Sequence, residues 1–250
     1  ALRPDTTLVT LMHANNEMGT VHPIAEIAKL AHAVGALVHT DAVQSAAWLD
    51  IRPSGLGVDA LTISGHKLGS PKGSGAVFLR RGIPVEPLMH GGGQENDRRS
   101  GTENVAWAVA LASALTAAVP SHDDRAGEHD RIALLRDQLM DAVCAEVPEA
   151  RVTGDREQRL PSIASFTFEG LNGESILLDL ESRGVVVSSG AACAAGKDEP
   201  SHVLLACGVE PDRARTSVRV SLAHTTTADD ITHAARAIID AVSSVRALRH

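Results

Sequence analysis

The chain has 250 residues, 44% of them hydrophobic, with a formal net charge of −8 and an isoelectric point near 5.8. That size and apolar share support one large core or two modest ones and exclude a disordered chain. The acidic balance excludes nucleic acid or an anionic membrane held through a basic face.

The chain in order begins with a short β-branched run, TTLVTLMH (6 to 13), which predicts a strand. PIAEIAKLAHAVG (23 to 35) sets Ile24, Ile27, Ala28, Ala31 and Val34 on one helical face and ends at Gly35. ALVHTD (36 to 41), DALTIS (59 to 64) and GAVFLRR (75 to 81) read as three more strands, so a largely parallel, buried sheet with helices is expected. A loop, HGGGQENDRRSGT (90 to 102), precedes helices expected over 103–119 and 124–147. Beyond Arg151 the strands SIASFTF, GVVVSSG and SVRVSLAH alternate with GESILLDLESRG and a last helix entered through a Thr227 and Asp230 capping box. The expected organisation is a first α/β domain over 1–120 and a smaller α/β domain over 121–250.

No apolar run reaches the length of a membrane span, and the first residues lack a basic leader with an apolar core and a cleavage site. Aromatic residues make up 2% and tyrosine is absent, so base stacking has little to work with. Three cysteines (Cys144, Cys193, Cys207) with no CxxC pair favour neither a disulfide framework nor a zinc knuckle. A reducing, cytoplasmic setting is expected.

Polar residues cluster where an open α/β sheet puts its ligand, at the carboxyl ends of the strands. They are Asn15, Asn16 and Glu17, then Asp41 and Gln44, then Ser64, His66 and Lys67. Singly each has an ordinary reading: Asp41 as a turn or helix cap, the asparagines as turn formers, His39 and His66 as satisfied or exposed imidazoles, Lys67 as a solvated charge. Together they suit Schiff-base chemistry, which needs an amine of adjustable basicity and a carboxylate for a pyridinium nitrogen. A phosphate P-loop is excluded, because GHKLGSPKGSG lacks the Gly-Lys-Ser/Thr ending and carries Pro71.

HANNEMG, HTDAVQS, SGHKLGSPKGSGAVFLRR, HGGGQENDRRSGT and VSSGAACAAG, in that order, resemble the motif series of the class V aminotransferase-like, pyridoxal-phosphate-dependent cysteine desulfurases. The resemblance runs over nearly the whole chain and implies an aminotransferase fold of type I, with part of a large cofactor domain and a smaller carboxy-terminal domain. It implies that Lys67 holds pyridoxal 5'-phosphate and shuttles protons, and that Asp41 pairs with the pyridine nitrogen. It likewise puts Gln44 and Asn16 by the phenolic oxygen, and Asn16 also by the substrate carboxylate. Ser64 and His66 then stand beside the phosphate, Thr102 reaches the phosphate of a neighbouring subunit in a homodimer, and Arg219 clamps the substrate carboxylate. Cys193 corresponds to the thiol that leaves as a persulfide. The implied reaction turns L-cysteine into L-alanine and passes sulfur to an acceptor or iron-sulfur scaffold protein. Selenocysteine lyase, kynureninase-like cleavage, aminotransfer, or an inactive scaffold that binds sulfur acceptors are the alternatives.

Three departures from the family pattern stand out: Ala191 where many relatives have serine, Gln94 where many have histidine, and the differently placed small residues of the LGSP turn after Lys67. The cysteine segment resembles the first desulfurase group, with its long loop. Nothing in the chain matches the family's amino-terminal phosphate loop or the histidine that stacks on the cofactor. A carboxy-terminal fragment is therefore expected, and alone it is expected to bind the cofactor poorly.

Overall fold

The computed structural model describes residues 1–118, 122–189 and 199–248, without the side chains of 122–126. The chain divides into two compact units, one of Ala1–Ala14 and His22–Ser121, the other of Asn15–Val21 and His122–His250. Segment 15–21 thus belongs to the second unit although it follows Ala1–Ala14 directly in the chain.

In the first unit, β1 (Leu8–Met12), β2 (Leu37–Asp41), β3 (Ala60–Ser64) and β4 (Gly75–Leu79) form one sheet in that order. The β1 to β3 pairs are parallel and β4 runs antiparallel to β3, so the expected parallel sheet is mixed at one edge. Helix α1 (Ile24–Ala33) crosses between β1 and β2 and covers one face, where Ile24, Ala28 and Ala31 bury against Val38 and Leu61 with Val9, Leu11 and Ile63 alongside. It stops at Gly35, whose φ of +82° is one that only glycine adopts freely. The sheet is not buried on both faces as expected: Leu8, Met12 and Val77 are exposed. A short helix, α2 (Pro53–Leu56), that the sequence did not announce precedes β3, and α3 (Val105–Ala118) ends the unit.

Asp59 fastens this sheet. It is 2% exposed and accepts three hydrogen bonds, from His32 Nε2 (2.9 Å), Val38 N (2.8 Å) and Arg80 Nε (2.6 Å). One carboxylate thus ties α1, the start of β2 and the residue after β4 together. Burial alone would raise its pKa, but these donors outweigh burial and hold it below the usual carboxylate range.

The second unit has an antiparallel sheet in the order β5 (Ala150–Val152), β6 (Ile163–Phe168), β8 (Val218–Ser221) and β7 (Ser188–Ser189). Every residue of β6 is buried, as expected of a strand with neighbours on both sides. The strand expected across 184–190 shortens to two described residues at the sheet edge, and Val186 beside it is 83% exposed. Long helix α4 (His122–Glu146) packs on β5, β6 and the final helix α8 (Ala228–Ala247). The α8 stripe of Ile231, Ala234, Ala235, Ile238, Ala241, Val242 and Val245 is buried, and its Thr227 and Asp230 form the expected capping box. Helices α5 (Gly173–Ser182), α6 (His202–Ala206) and α7 (Pro211–Ala214) complete the unit. Segment 15–21 joins it through Met18, packed with Leu204 and Ala214, and through a bridge between Thr20 and Arg159.

Replacing Asp59 by alanine leaves His32 and Arg80 free to meet water but strands the buried Val38 N–H, so we expect a loss of about 2–3 kcal/mol in urea denaturation. Because the folded pKa of Asp59 lies below its unfolded value, its stabilisation is complete above the unfolded value and disappears as pH falls through the folded one. The stability gap between wild type and Asp59→Ala should therefore close on acidification. A gap that is constant from pH 7 into the acid range would refute this account.

Candidate active site

Parallel pairing gives β1, β2 and β3 a common carboxyl edge, and the register aligns Met12 with Asp41 and Asp41 with Thr62. Side chains alternate along a strand, so Thr10, His39, Asp41, Thr62 and Ser64 share the face opposite α1. A polar chain across that face supports the assignment: Thr10 Oγ1 lies 2.7 Å from His39 Nδ1, and His39 Nε2 lies 3.3 Å from Thr62 Oγ1. His39 is thus a satisfied imidazole, its ordinary reading. Asp41 is exposed at the edge, and its Oδ1 accepts from Val43 N at 2.8 Å. Of the two ordinary uses open to this aspartate, turn cap and helix cap, the structure shows the turn cap. Half-buried Gln44 sits in that turn.

The chain leaves β3 through a single 3-10 turn, Gly65–Lys67. Ser64 Oγ and His66 Nδ1 are 2.8 Å apart, and His66 and Lys67 are both exposed. Asp41, Gln44, Ser64, His66 and Lys67 therefore belong to one edge of one sheet. Thr102 is exposed in the same unit, ahead of α3, on a loop that Gln94 braces by accepting from Gly101 N at 3.0 Å. In that loop Glu95, Asn96 and Asp97 have φ of 51°, 57° and 64°, a left-handed run that asparagine and aspartate tolerate better than glutamate does.

His13, just past β1, was not singled out from the sequence. It is 5% exposed, donates its backbone N–H to Asp41 O (2.8 Å), and has a buried Nδ1 without a hydrogen-bond partner. Burial first, and nearby His22 second, push its pKa down. Only its place in HANNE hinted at it.

The other two described site candidates lie in the second unit. Arg219 of β8 donates from Nη1 to Asn16 O at 2.6 Å, so the arginine is not the free surface side chain its strand position allowed. The turn carrying Asn16 is locked on both sides. Asn15 Oδ1 accepts from Glu17 N and Met18 N, both at 2.9 Å, and buried Glu17 accepts from Ser201 Oγ, the N-cap of α6. Asn15 and Glu17 are accordingly turn-building residues. Cys193 lies outside the described residues. Cys207 is exposed, and Cys144 is half-buried with its thiol pKa pushed up by burial.

The donor set of the sheet edge suits a phosphorylated pyridine aldehyde: a lysine amine for the aldehyde, a carboxylate for the ring nitrogen, and a hydroxyl and imidazole for the phosphate.

The family described as aminotransferase class-V matches residues 1–233. Among curated relatives, the chain is 45% identical over 248 residues to a cysteine desulfurase of Cereibacter sphaeroides, covering 99% of this chain and 62% of that protein. Among solved structures, a NifS-like protein from Rickettsia africae superposes with a TM-score of 0.83 at 32% identity, covering 96% of this chain and 62% of the other. SspA in complex with cysteine superposes with a TM-score of 0.71 at 33% identity, covering 89% and 60%. The chain thus spans about three fifths of the length of these relatives. By the family match across most of its length, and by a fold it shares with those structures, the chain belongs to the class V aminotransferases.

Proposed function

We propose that the protein is a pyridoxal-phosphate-dependent cysteine desulfurase, acting in the cytoplasm as a homodimer, which converts L-cysteine to L-alanine and passes the sulfur to an acceptor such as an iron-sulfur scaffold protein. The observation that carries this reading is the placement of Asp41 and the Lys67 turn on one carboxyl edge of adjacent parallel strands. The cysteine desulfurase name of a relative at 45% identity supports the reaction, and the cysteine complex of SspA supports the substrate.

In this reading Lys67 holds the cofactor's aldehyde carbon, Asp41 its ring nitrogen, Ser64 and His66 its phosphate, and Gln44 with Asn16 its phenolic oxygen. Thr102 reaches the phosphate of the neighbouring subunit. The bound cofactor supplies an electron sink that acidifies the substrate Cα–H. The Lys67 amine takes that proton and returns one to the product. Arg219 holds the substrate carboxylate, a task suited to its planar fork. The Cys193 thiolate bonds to the substrate sulfur as the Cβ–S bond breaks, so that one L-cysteine and one thiol give one L-alanine and one persulfide.

Alanine formation from L-cysteine and persulfide on the protein should be measured with pyridoxal phosphate, for the chain alone and with the amino-terminal portion of a relative supplied. Cys193→Ser should abolish persulfide while leaving borohydride-trapped cofactor on Lys67, whereas Lys67→Ala should remove both. Persulfide that survives Cys193→Ser would reject the assignment. Arg219→Ala should raise KM for L-cysteine about tenfold or more, the worth of a hydrogen bond to a charged group, with a smaller change in kcat. An unchanged KM would free Arg219 from its substrate role.

A further inference from the structure

The LGSP turn after Lys67 departs from the family pattern in its small residues, and the structure gives one of them, Ser70, a use together with Ser74 three residues beyond the turn. From Gly65 to Ser74 the chain closes on itself, with Gly65 N donating to Ser74 O and Ser70 N donating to Gly65 O, both at 2.9 Å. Ser70 is 7% exposed, and its Oγ lies 3.0 Å from Ser74 Oγ. Ser74 Oγ donates to Pro71 O at 2.7 Å. A hydroxyl has one proton, so in the contact between the two serines Ser70 is the donor and the bonds run Ser70 to Ser74 to Pro71.

This hydroxyl pair sits directly against the residue that begins the lysine's turn. A Cβ on Gly65 would lie 2.0 Å from Ser74 Oγ and 3.0 Å from Ser70 Cβ. On its other side the turn is backed by α3: Gly73 has φ +88°, and a Cβ there would lie 2.5 Å from Trp107 Cζ3. Gly65–Lys67 is one short 3-10 turn, so whatever fixes Gly65 fixes the direction in which Lys67 leaves the backbone.

We propose, resting on the cofactor role argued above for Lys67, that Ser70 and Ser74 are positioning residues: their hydroxyl pair, wedged against Gly65, sets the presentation of the Lys67 amine to an aldehyde. They act through the turn and do not touch the amine. A long, exposed side chain on a loosened turn spreads over more directions, and condensation with an aldehyde is slowed by that spread.

The test uses pyridoxal phosphate as the probe at one fixed concentration. Amine and aldehyde condense with loss of water, borohydride reduces the C=N bond, and peptide mass spectrometry counts the pyridoxyl adducts. Exposed Lys29 of α1 is the internal reference in the same chain. Wild type should favour Lys67 over Lys29. Ser70→Ala and Ser74→Ala should each lower the Lys67 to Lys29 ratio about fivefold, the worth of one ordinary hydrogen bond, and Ser74→Thr, which keeps the hydroxyl, should hold the wild-type ratio. A ratio that survives both alanine variants, or falls as far in Ser74→Thr, overturns the positioning role while leaving the cofactor reading intact. Wild type without a preference for Lys67 overturns the cofactor reading and this proposal with it. Thermal unfolding of each variant guards against global loss; should Ser70→Ala fail to fold, half-buried Ser74 decides through its own pair of variants.

Discussion

The register of β2 on β3 is the constraint on which the sheet edge depends. His39 pairs with Ala60, Thr40 with Leu61 and Asp41 with Thr62. A slip of one residue would turn Asp41 toward α1 and expose Val38 and Thr40, which are fully buried. The hydrophobic face therefore fixes the chemistry of the opposite one: because Val38 and Leu61 must meet Ile24, Ala28 and Ala31, the intervening positions present His39, Asp41, Thr62 and Ser64 together. Asp59 reinforces this from the other end of the strands. It receives the N–H of Val38, at the start of β2, and the guanidinium of Arg80, just after β4.

The second unit solves a similar problem with different means. Arg219 stands in a strand between β6 and β7, aligned with Ser165 on one side and Ser188 on the other. Its guanidinium is held by the Asn16 carbonyl, and that carbonyl is held in place by the side chains on either side of it. Neither Asn15 nor Glu17 needs to touch a ligand to matter, since each removes a freedom from the turn that Asn16 and Arg219 share.

Much of this architecture was legible in the sequence because it rests on period and punctuation. The apolar spacing of Ile24, Ala28 and Ala31, the stop at Gly35 and the Thr227 capping box are local signals, and local structure follows them. The antiparallel turn of β4 and the short β7 were not legible, because strand direction and strand length depend on neighbours that propensity does not name. The same holds within the site. Ordered motifs marked Asp41 and Lys67, whereas Ser70 and Ser74 read only as small loop residues until their hydroxyls were seen to meet across Gly65. Segment 15–21 shows a related limit of local signals: it follows β1 directly in the chain, but its burial comes from Met18, whose partners Leu204 and Ala214 lie far along the sequence.

The two units differ in how much of their apolar surface they cover. In the second, α4 packs on β5 and β6, α5 packs on β7, α8 packs on both of these helices, and β6 is buried along its whole length. In the first, α3 is apolar nearly all round, yet Leu111 is its one buried residue, with Val105 68% and Val109 60% exposed. A helix of that composition ordinarily lies in a core. The sheet face that carries Asp41 also leaves Leu8, Met12 and Val77 open to water. Burying such side chains contributes about 1.5–3 kcal/mol each, so the first unit holds the larger unused share of stabilisation, and it is the unit that carries the lysine turn. Trp107 makes the connection concrete, because the same apolar helix that is largely open to solvent supplies the ring behind Gly73.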